Sequence, residues 1–355
     1  MIIRAFITHK QAELFADCQD RFGVNPDTKS IAVSDGMGST WQQKIWAQLL
    51  VDTYTGSNEW TPTIESIKPL CQTWRDRVTD FIQKLKDSNA PENMIYRNER
   101  NLSEGRSAGA TFVGIRFCGY EWSGSVLGDS CLIEWDGKSA VFHTSQDVEA
   151  FDSYPDYFDS ATSKDGKGTP KSIKGVLGKG ESLFLVSDPF SEFLLEHSKQ
   201  EDIVNYVQQL WSLSSHKDFE TLVCEWRKEG MHNDDTTLVI VENDNSEILT
   251  VTYTDDIIKM IEKEKSPQIS DIETAEKESS FQESPSKEEG GDVVNFIVVP
   301  NDEKKQFINE FIAEYQRCLQ KGFPKYMDKL KFKWTQKATE EALDLMFEKY
   351  SIIHK

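Results

Sequence analysis

Three aspartates punctuate β-type runs in the same way: Asp35 ends SIAVS, Asp188 ends SLFLVS, and Asp234-Asp235 precede TTLVIVE. If the last strand runs antiparallel to the other two, these carboxylates fall on one edge of one sheet. Asp20 joins them through a predicted hairpin, because Asp20 to Val24 and Lys29 to Ser34 flank the turn-rich Asn25-Pro26-Asp27-Thr28. Like charges a few ångströms apart disfavour joint ionisation, so a cluster of this kind calls for divalent cations. An all-oxygen donor set points to Mg²⁺ or Mn²⁺ rather than structural zinc, and the six histidines show no HExxH spacing. Gly36 and Gly38, after Asp35, let a backbone carbonyl approach a cation. Taken singly, each aspartate reads as an ordinary turn residue.

The elements that must position these residues follow from periodicity. Residues 2 to 7 predict a strand. Trp41, Ile45, Leu49 and Leu50 predict a helix capped by Ser39 or Thr40, and Ile67, Leu70, Trp74, Val78, Phe81 and Leu85 predict a second from about Thr63 to Lys86. These aromatic stripes read as core. Residues 87 to 107 are polar and read as a loop. Ala110 to Cys118, Glu121 to Leu127, Cys131 to Trp135 and Ala140 to Thr144 fit an antiparallel meander. Residues 146 to 175 read as a long surface excursion, followed by a strand at Ser182 to Ser187. Helices are expected near 189 to 198, 200 to 212 and 216 to 229, with a last strand at Thr236 to Glu242.

At 355 residues the chain is long for one domain. Residues 1–255 are expected to form a large domain. The Glu, Lys, Ser and Pro-rich stretch 256–292 holds too few apolar residues to fold and is expected to be a disordered linker. Residues 293–355 are expected to form a small helical C-terminal region. The formal charge of −20 argues against nucleic-acid affinity and favours cationic partners or metal ions. The six cysteines contain no CxxC pair, the chain begins MIIRAFITHK without a charged-then-apolar leader, and no apolar run approaches the ~20 residues that span a bilayer. The expectation is a reduced, cytoplasmic protein without a membrane segment.

The ordered motifs AVSDGMGS (32–39), SAGATFVGI (107–115), LGDSCLI (127–133), LFLVSD (183–188) and NDDTTLVIV (233–241) resemble the metal-dependent type 2C protein serine/threonine phosphatases, bacterial branch, over about residues 1 to 245. The resemblance implies an α+β fold: two packed antiparallel sheets flanked by helices, an α-β-β-α sandwich, here with a small helical appendage. It implies two Mn²⁺ or Mg²⁺ ions at one end of the sandwich. Asp35 matches the bridging aspartate, Gly36 the residue lending a carbonyl, Asp188 and Asp234 the carboxylates on the second metal, and Gln19-Asp20 a pair acting through metal-bound water. The implied chemistry is hydrolysis of phosphoserine and phosphothreonine by direct attack of a metal-bridging hydroxide, without a phosphoenzyme. The Gly128-Asp129-Ser130 turn matches a structural motif.

Departures fall on the substrate side. Phe15 stands where many members carry a phosphate-gripping arginine, leaving His9 and Lys10 as candidate phosphate-binding replacements. Gln19 replaces a Glu and Pro189 a Gly. Arg106 occupies the place of a third-metal aspartate, and Glu192 falls where a second such ligand would lie. The implied partners are a phosphoprotein substrate and a cognate Ser/Thr kinase, with residues 293–355 a candidate docking module on a flexible tether. The rival readings are a pseudophosphatase that binds a partner without turnover and a hydrolase of small phosphate esters.

Overall fold

The computed structural model describes residues 1–13, 15–145, 155–161, 166–198 and 203–252. The expected linker, the C-terminal region and parts of the 146–175 excursion lie outside the described residues. All described residues belong to one compact unit, Met1–Ser280. Among them, no helix is long and apolar enough to cross a membrane.

Two sheets are stacked. One contains β1 (Ile2–Thr8), β7 (Cys131–Trp135), β8 (Ala140–His143), β11 (Ser182–Val186), β12 (Thr236–Glu242) and β13 (Thr250–Thr252), in the order β13-β1-β12-β11-β7-β8. The other contains β2 (Arg21–Asn25), β3 (Ser30–Ser34), β5 (Phe112–Cys118), β6 (Glu121–Leu127) and β10 (Lys171–Val176), in the order β10-β6-β5-β3-β2. A two-stranded ribbon joins β4 (Gly109–Ala110) to β9 (Phe158–Asp159). Pairing is antiparallel except where β13 runs parallel to β1.

Strand alternation divides the core into layers, since successive side chains leave opposite faces. Ile3, Ala5, Leu183, Leu185, Val239 and Val241 meet Ile31, Val33, Val113 and Ile115 between the sheets. On the outer face of the first sheet, Phe6, Phe184, Val186 and Ile240 pack against α4 (Asp188–His197), α5 (Ile203–Ser212) and α6 (His216–Glu229), through Phe190, Leu210, Phe219 and Trp226. On the outer face of the second, Ala32 and Phe112 pack against α1 (Gln43–Thr55) and α2 (Ile64–Asp87), through Trp46, Leu50, Tyr54 and Trp74. The architecture is the expected sandwich of two antiparallel sheets flanked by helices.

Several expectations need correction. The meander is split: β5 and β6 pair in one sheet, β7 and β8 in the other, and the chain crosses at Gly128-Asp129-Ser130. Gly128 has φ 93°, and a Cβ there would lie 2.6 Å from the Asp156 carbonyl oxygen and 2.7 Å from the Thr111 side chain. Gly128→Ala should therefore cost ~2 kcal/mol or more through backbone strain and overpacking, read by urea denaturation; an unchanged midpoint would refute this account of the crossing.

The 87–107 stretch is not all loop but contains α3 (Glu92–Ser103). Its inner stripe is Ile95, Asn98, Asn101 and Leu102, too narrow and too polar to register as a hydrophobic period. The Asn98 side-chain oxygen instead accepts from Trp41 Nε1 at 3.2 Å and Gln42 Nε2 at 3.0 Å. The first helix begins at Gln43, after Gln42 in the left-handed region at φ 55°. Trp41 thus sits before the helix, edge-on to Trp74. Thr40 does not cap it, because its hydroxyl accepts from Gly109 N–H at 3.0 Å and donates to the Met37 carbonyl at 2.8 Å. By contrast α2 starts as expected, with Thr63 and Ser66 forming a reciprocal capping box. The described part of the 146–175 excursion includes β9 and β10, and β13 is a strand too short to show a pattern.

Candidate active site

β3 ends on Asp35, and the β2–β3 register pairs Arg21 with Ser34, which sets Asp20 beside Asp35. The backbone at Asp35 is bolted down by Thr111. The Thr111 N–H donates to the Asp35 carbonyl at 2.9 Å, its hydroxyl accepts from Asp35 N–H at 3.3 Å, and its carbonyl accepts from the Ser34 hydroxyl at 2.7 Å. The Thr111 and Ser130 hydroxyls share a hydrogen bond at 2.7 Å. Gly36 bridges Ala110, and a Cβ on it would lie 3.1 Å from the Gln19 carbonyl oxygen. A side chain at Gly36 would push that loop outward.

The other sheet supplies the remaining carboxylates. Asp188 follows β11 and opens α4, where Pro189 fits because a first-turn N–H has no intrahelical partner. β12 pairs antiparallel to β11, so Asp234 and Asp235 lie at the same end as Asp188. The acidic groups therefore gather at one end of two stacked sheets, and the expectation of one edge of one sheet is corrected: Asp20 and Asp35 come from the sheet opposite that of Asp188, Asp234 and Asp235. Asp129 reaches the cluster from the crossing between sheets, and Glu192 from the next turn of α4.

Electrostatics bear out how closely these groups sit. Burial, then the Asp235 charge, pushes Asp20 up to about 7. Burial also pushes Asp129 up to about 7, with Glu192, Asp20 and Asp234 adding to it. Asp35 and Asp188, both half-buried, are raised well above the usual carboxylate range, first by desolvation and then by neighbouring charges, Asp188 and Asp20 for Asp35, and Asp129 and Asp234 for Asp188. Asp20 is fully buried, with Oδ2 accepting from the Thr237 hydroxyl at 2.7 Å.

Buried oxygens without a donor are costly unless something positive reaches them. Asp20 Oδ1, Asp129 Oδ1, Asp188 Oδ1 and Gln19 Oε1 are such atoms. Among the described residues no three ligand side chains are already gathered into a finished metal cage. The orphaned, all-oxygen acceptors nevertheless match what Mg²⁺ or Mn²⁺ takes as donors.

The cationic neighbours are partly committed. Lys10 Nζ lies 2.9 Å from Asp234 Oδ1; burial works against its charge, but Asp234 and Asp235 outweigh this and raise its pKa. Asp235 is buried and accepts from Lys10 N–H at 2.9 Å and Gln19 N–H at 2.7 Å. His9 Nδ1 faces the Lys10 carbonyl at 2.8 Å. Arg227 of α6 donates to the carbonyls of Asp234 at 2.6 Å and His9 at 3.3 Å. His232 pairs with Glu192 at 3.1 Å. Arg106 is exposed, with Glu104 3.9 Å away, and Phe15 lies in a short 3-10 turn.

A family model described as protein phosphatase 2C matches residues 9–226. The chain belongs to the protein phosphatase 2C family. The matched span holds Asp20, Asp35, Asp129 and Asp188, while Asp234 lies just beyond it. No curated protein matches the chain. Among solved structures, PppA, a key regulatory component of T6SS in Pseudomonas aeruginosa, is 15% identical, with 68% of this chain and 96% of PppA covered and a TM-score of 0.45. Stp1 from Staphylococcus aureus is 14% identical, covering 68% and 94%, with a TM-score of 0.43. The catalytic domain of PstP, in complex with 2 manganese ions, is 15% identical, covering 67% and 96%, with a TM-score of 0.40. Membership rests on the family match and not on these scores. By family, the chain is a protein phosphatase.

Asp129 is the cluster member whose placement sequence reasoning missed, and of the Asp234-Asp235 pair it did not single out Asp235 as the buried acceptor of two backbone N–H groups. Asp129 depends on the crossing between sheets, which no local pattern discloses. Two adjacent aspartates before a strand do not reveal which of them is buried.

Proposed function

We propose that this 2C phosphatase hydrolyses phosphoserine and phosphothreonine in proteins with two Mn²⁺ or Mg²⁺ ions. Asp35, the Gly36 carbonyl, Asp188 and Asp234 would hold the ions, and Asp20 would act through water. The observation that carries this reading is the set of buried carboxylate oxygens without donors at one end of the sandwich. When bound, the cations supply an activated water and neutralise charge on the transferred phosphoryl group.

The chain's own residues do the positioning. Thr111 fixes the Asp35 backbone on both sides, so the carboxylate direction is set by sheet geometry. Asp20, buried against Thr237, offers its free oxygen as a fixed acceptor that orients water. Lys10 carries its ammonium into the acidic end and is the better candidate for gripping a phosphoryl oxygen, since His9 turns Nδ1 to backbone. Glu192 is a candidate for a further cation through its place beside Asp129 and Asp188.

Purified protein should hydrolyse phosphoserine and phosphothreonine peptides only with Mn²⁺ or Mg²⁺, stop on chelation, and work faster on peptides than on small phosphate esters at equal concentration. Cation-independent turnover would sink the proposal, and faster turnover of small esters would transfer the substrate to that class. One observation favours a pseudophosphatase, namely Lys10 seated on Asp234. Calorimetric titration with Mn²⁺ decides it, for absence of binding would support that rival.

A further inference from the structure

Lys10 is held unusually for a surface lysine. Its backbone N–H is pinned to buried Asp235 at 2.9 Å, and its carbonyl accepts from Glu13 N–H at 3.2 Å. The Cα is thus fixed and only the side chain can swing. The ammonium sits 2.9 Å from Asp234 on one side. On the other lies the DGMGS turn: a methyl group placed on Gly38 would be 3.9 Å from Lys10 Nζ and 3.5 Å from Gln19 Oε1. Gly38 has no side chain, so the ammonium and Gln19 Oε1 lie directly over that turn, at van der Waals distance from where a Cβ would stand.

A carboxylate attracts a divalent ion about twice as strongly as an ammonium at equal distance, because Coulomb energy scales with charge. A cation arriving at Asp234 therefore meets a singly charged competitor on a tether of four carbons. Resting on the two-cation reading above, we propose that Lys10 is a displaceable counter-ion: its ammonium occupies Asp234 in the cation-free chain, beside the Gly38 turn, and loading of the site releases it from that carboxylate. The ion pair then has two consequences. It relieves repulsion in the empty site, and it delivers a free cationic group to the mouth only once metal is in place. A phosphoryl group would meet the lysine in a loaded site and not in an empty one.

The test is lysine acylation of the full chain by N-acetoxysuccinimide, read by mass spectrometry, with and without Mg²⁺ or Mn²⁺. Lys68 on α2, partly exposed and paired with Glu65 at 2.9 Å, serves as internal reference. Calorimetry on the same samples records whether cation binds. Lys10 should label slowly in chelator and at least fivefold faster, relative to Lys68, when the cation is bound. Asp234→Asn should label fast at Lys10 without cation and respond little to its addition. Cation binding with unchanged or slower Lys10 labelling would overturn this inference and leave the proposed function standing. Absence of cation binding would overturn both.

Discussion

Asp35→Asn is expected to abolish phosphopeptide hydrolysis, by roughly 10³-fold or more for a group that holds the reacting centre, while the domain stays folded. Asparagine keeps the shape of the side chain and removes its negative charge. The bonds that place residue 35 are made by its backbone with Thr111, so the substitution does not touch them. In the cation-free protein the variant should be more stable than the parent, since desolvation and the charges of Asp188, Asp20 and Asp129 all penalise an ionised Asp35. The melting temperature should rise, at about 2–4 °C per kcal/mol for a domain of this size. Circular dichroism melts in chelator, phosphopeptide kinetics and Mn²⁺ calorimetry together check the result. A variant with full activity, or one that melts lower in chelator, contradicts the proposed role of Asp35 as a ligand whose charge is costly until a cation is bound.

The second large effect is a stability that falls with rising pH until metal is added. Asp20 and Asp129 titrate near 7 in the fold against an ordinary value of 3.8. Between these values the native state binds more protons than the unfolded chain, so unfolding free energy decreases as pH rises. The stabilisation is fully present below about 4 and is lost by the time pH has passed through about 7 for these two groups. Asp35 and Asp188, also raised well above the ordinary value, act in the same direction. On the two-cation proposal, divalent cations would take the place of the missing protons. Saturation at a hundred times the dissociation constant adds about 2.7 kcal/mol. Urea denaturation at pH 5.5, 7 and 8.5, in chelator and in Mn²⁺, should show a downward slope that the cation flattens or reverses. Equal slopes in both conditions would mean that the acidic end is not where the cation binds.

What was legible in the sequence, and what was not, follows from the range of the forces involved. The β2–β3 hairpin and its delivery of Asp20 beside Asp35 depend on a four-residue turn and strand register, both local, and they were read correctly. The start of α2 near Thr63 is legible from the period of its apolar residues, and the structure adds the Thr63–Ser66 capping box. The split of the strand series was not, because LGDSCLI looks the same whether the chain turns back into its own sheet or crosses to the next. That crossing decides whether Asp129 reaches the acidic end. The partner of Lys10 was equally hidden: residue 234 lies far along the chain, and only the β1–β12 pairing brings them together. Long-range pairing leaves no mark in local composition.

The hydroxyl contact between Thr111 and Ser130 reaches beyond the atoms it joins. Thr111 follows the SAGA run and holds the end of β3, whereas Ser130 stands where the chain steps from one layer to the other. The two layers are thereby keyed to each other beside the reacting end. A slight slip between them, caused by a poorly fitted residue deep in the interior, would be passed to Asp35 before the domain came apart. On the proposed function the interior is part of the catalyst, and the rate of turnover would gauge how well two sheets have been fitted together.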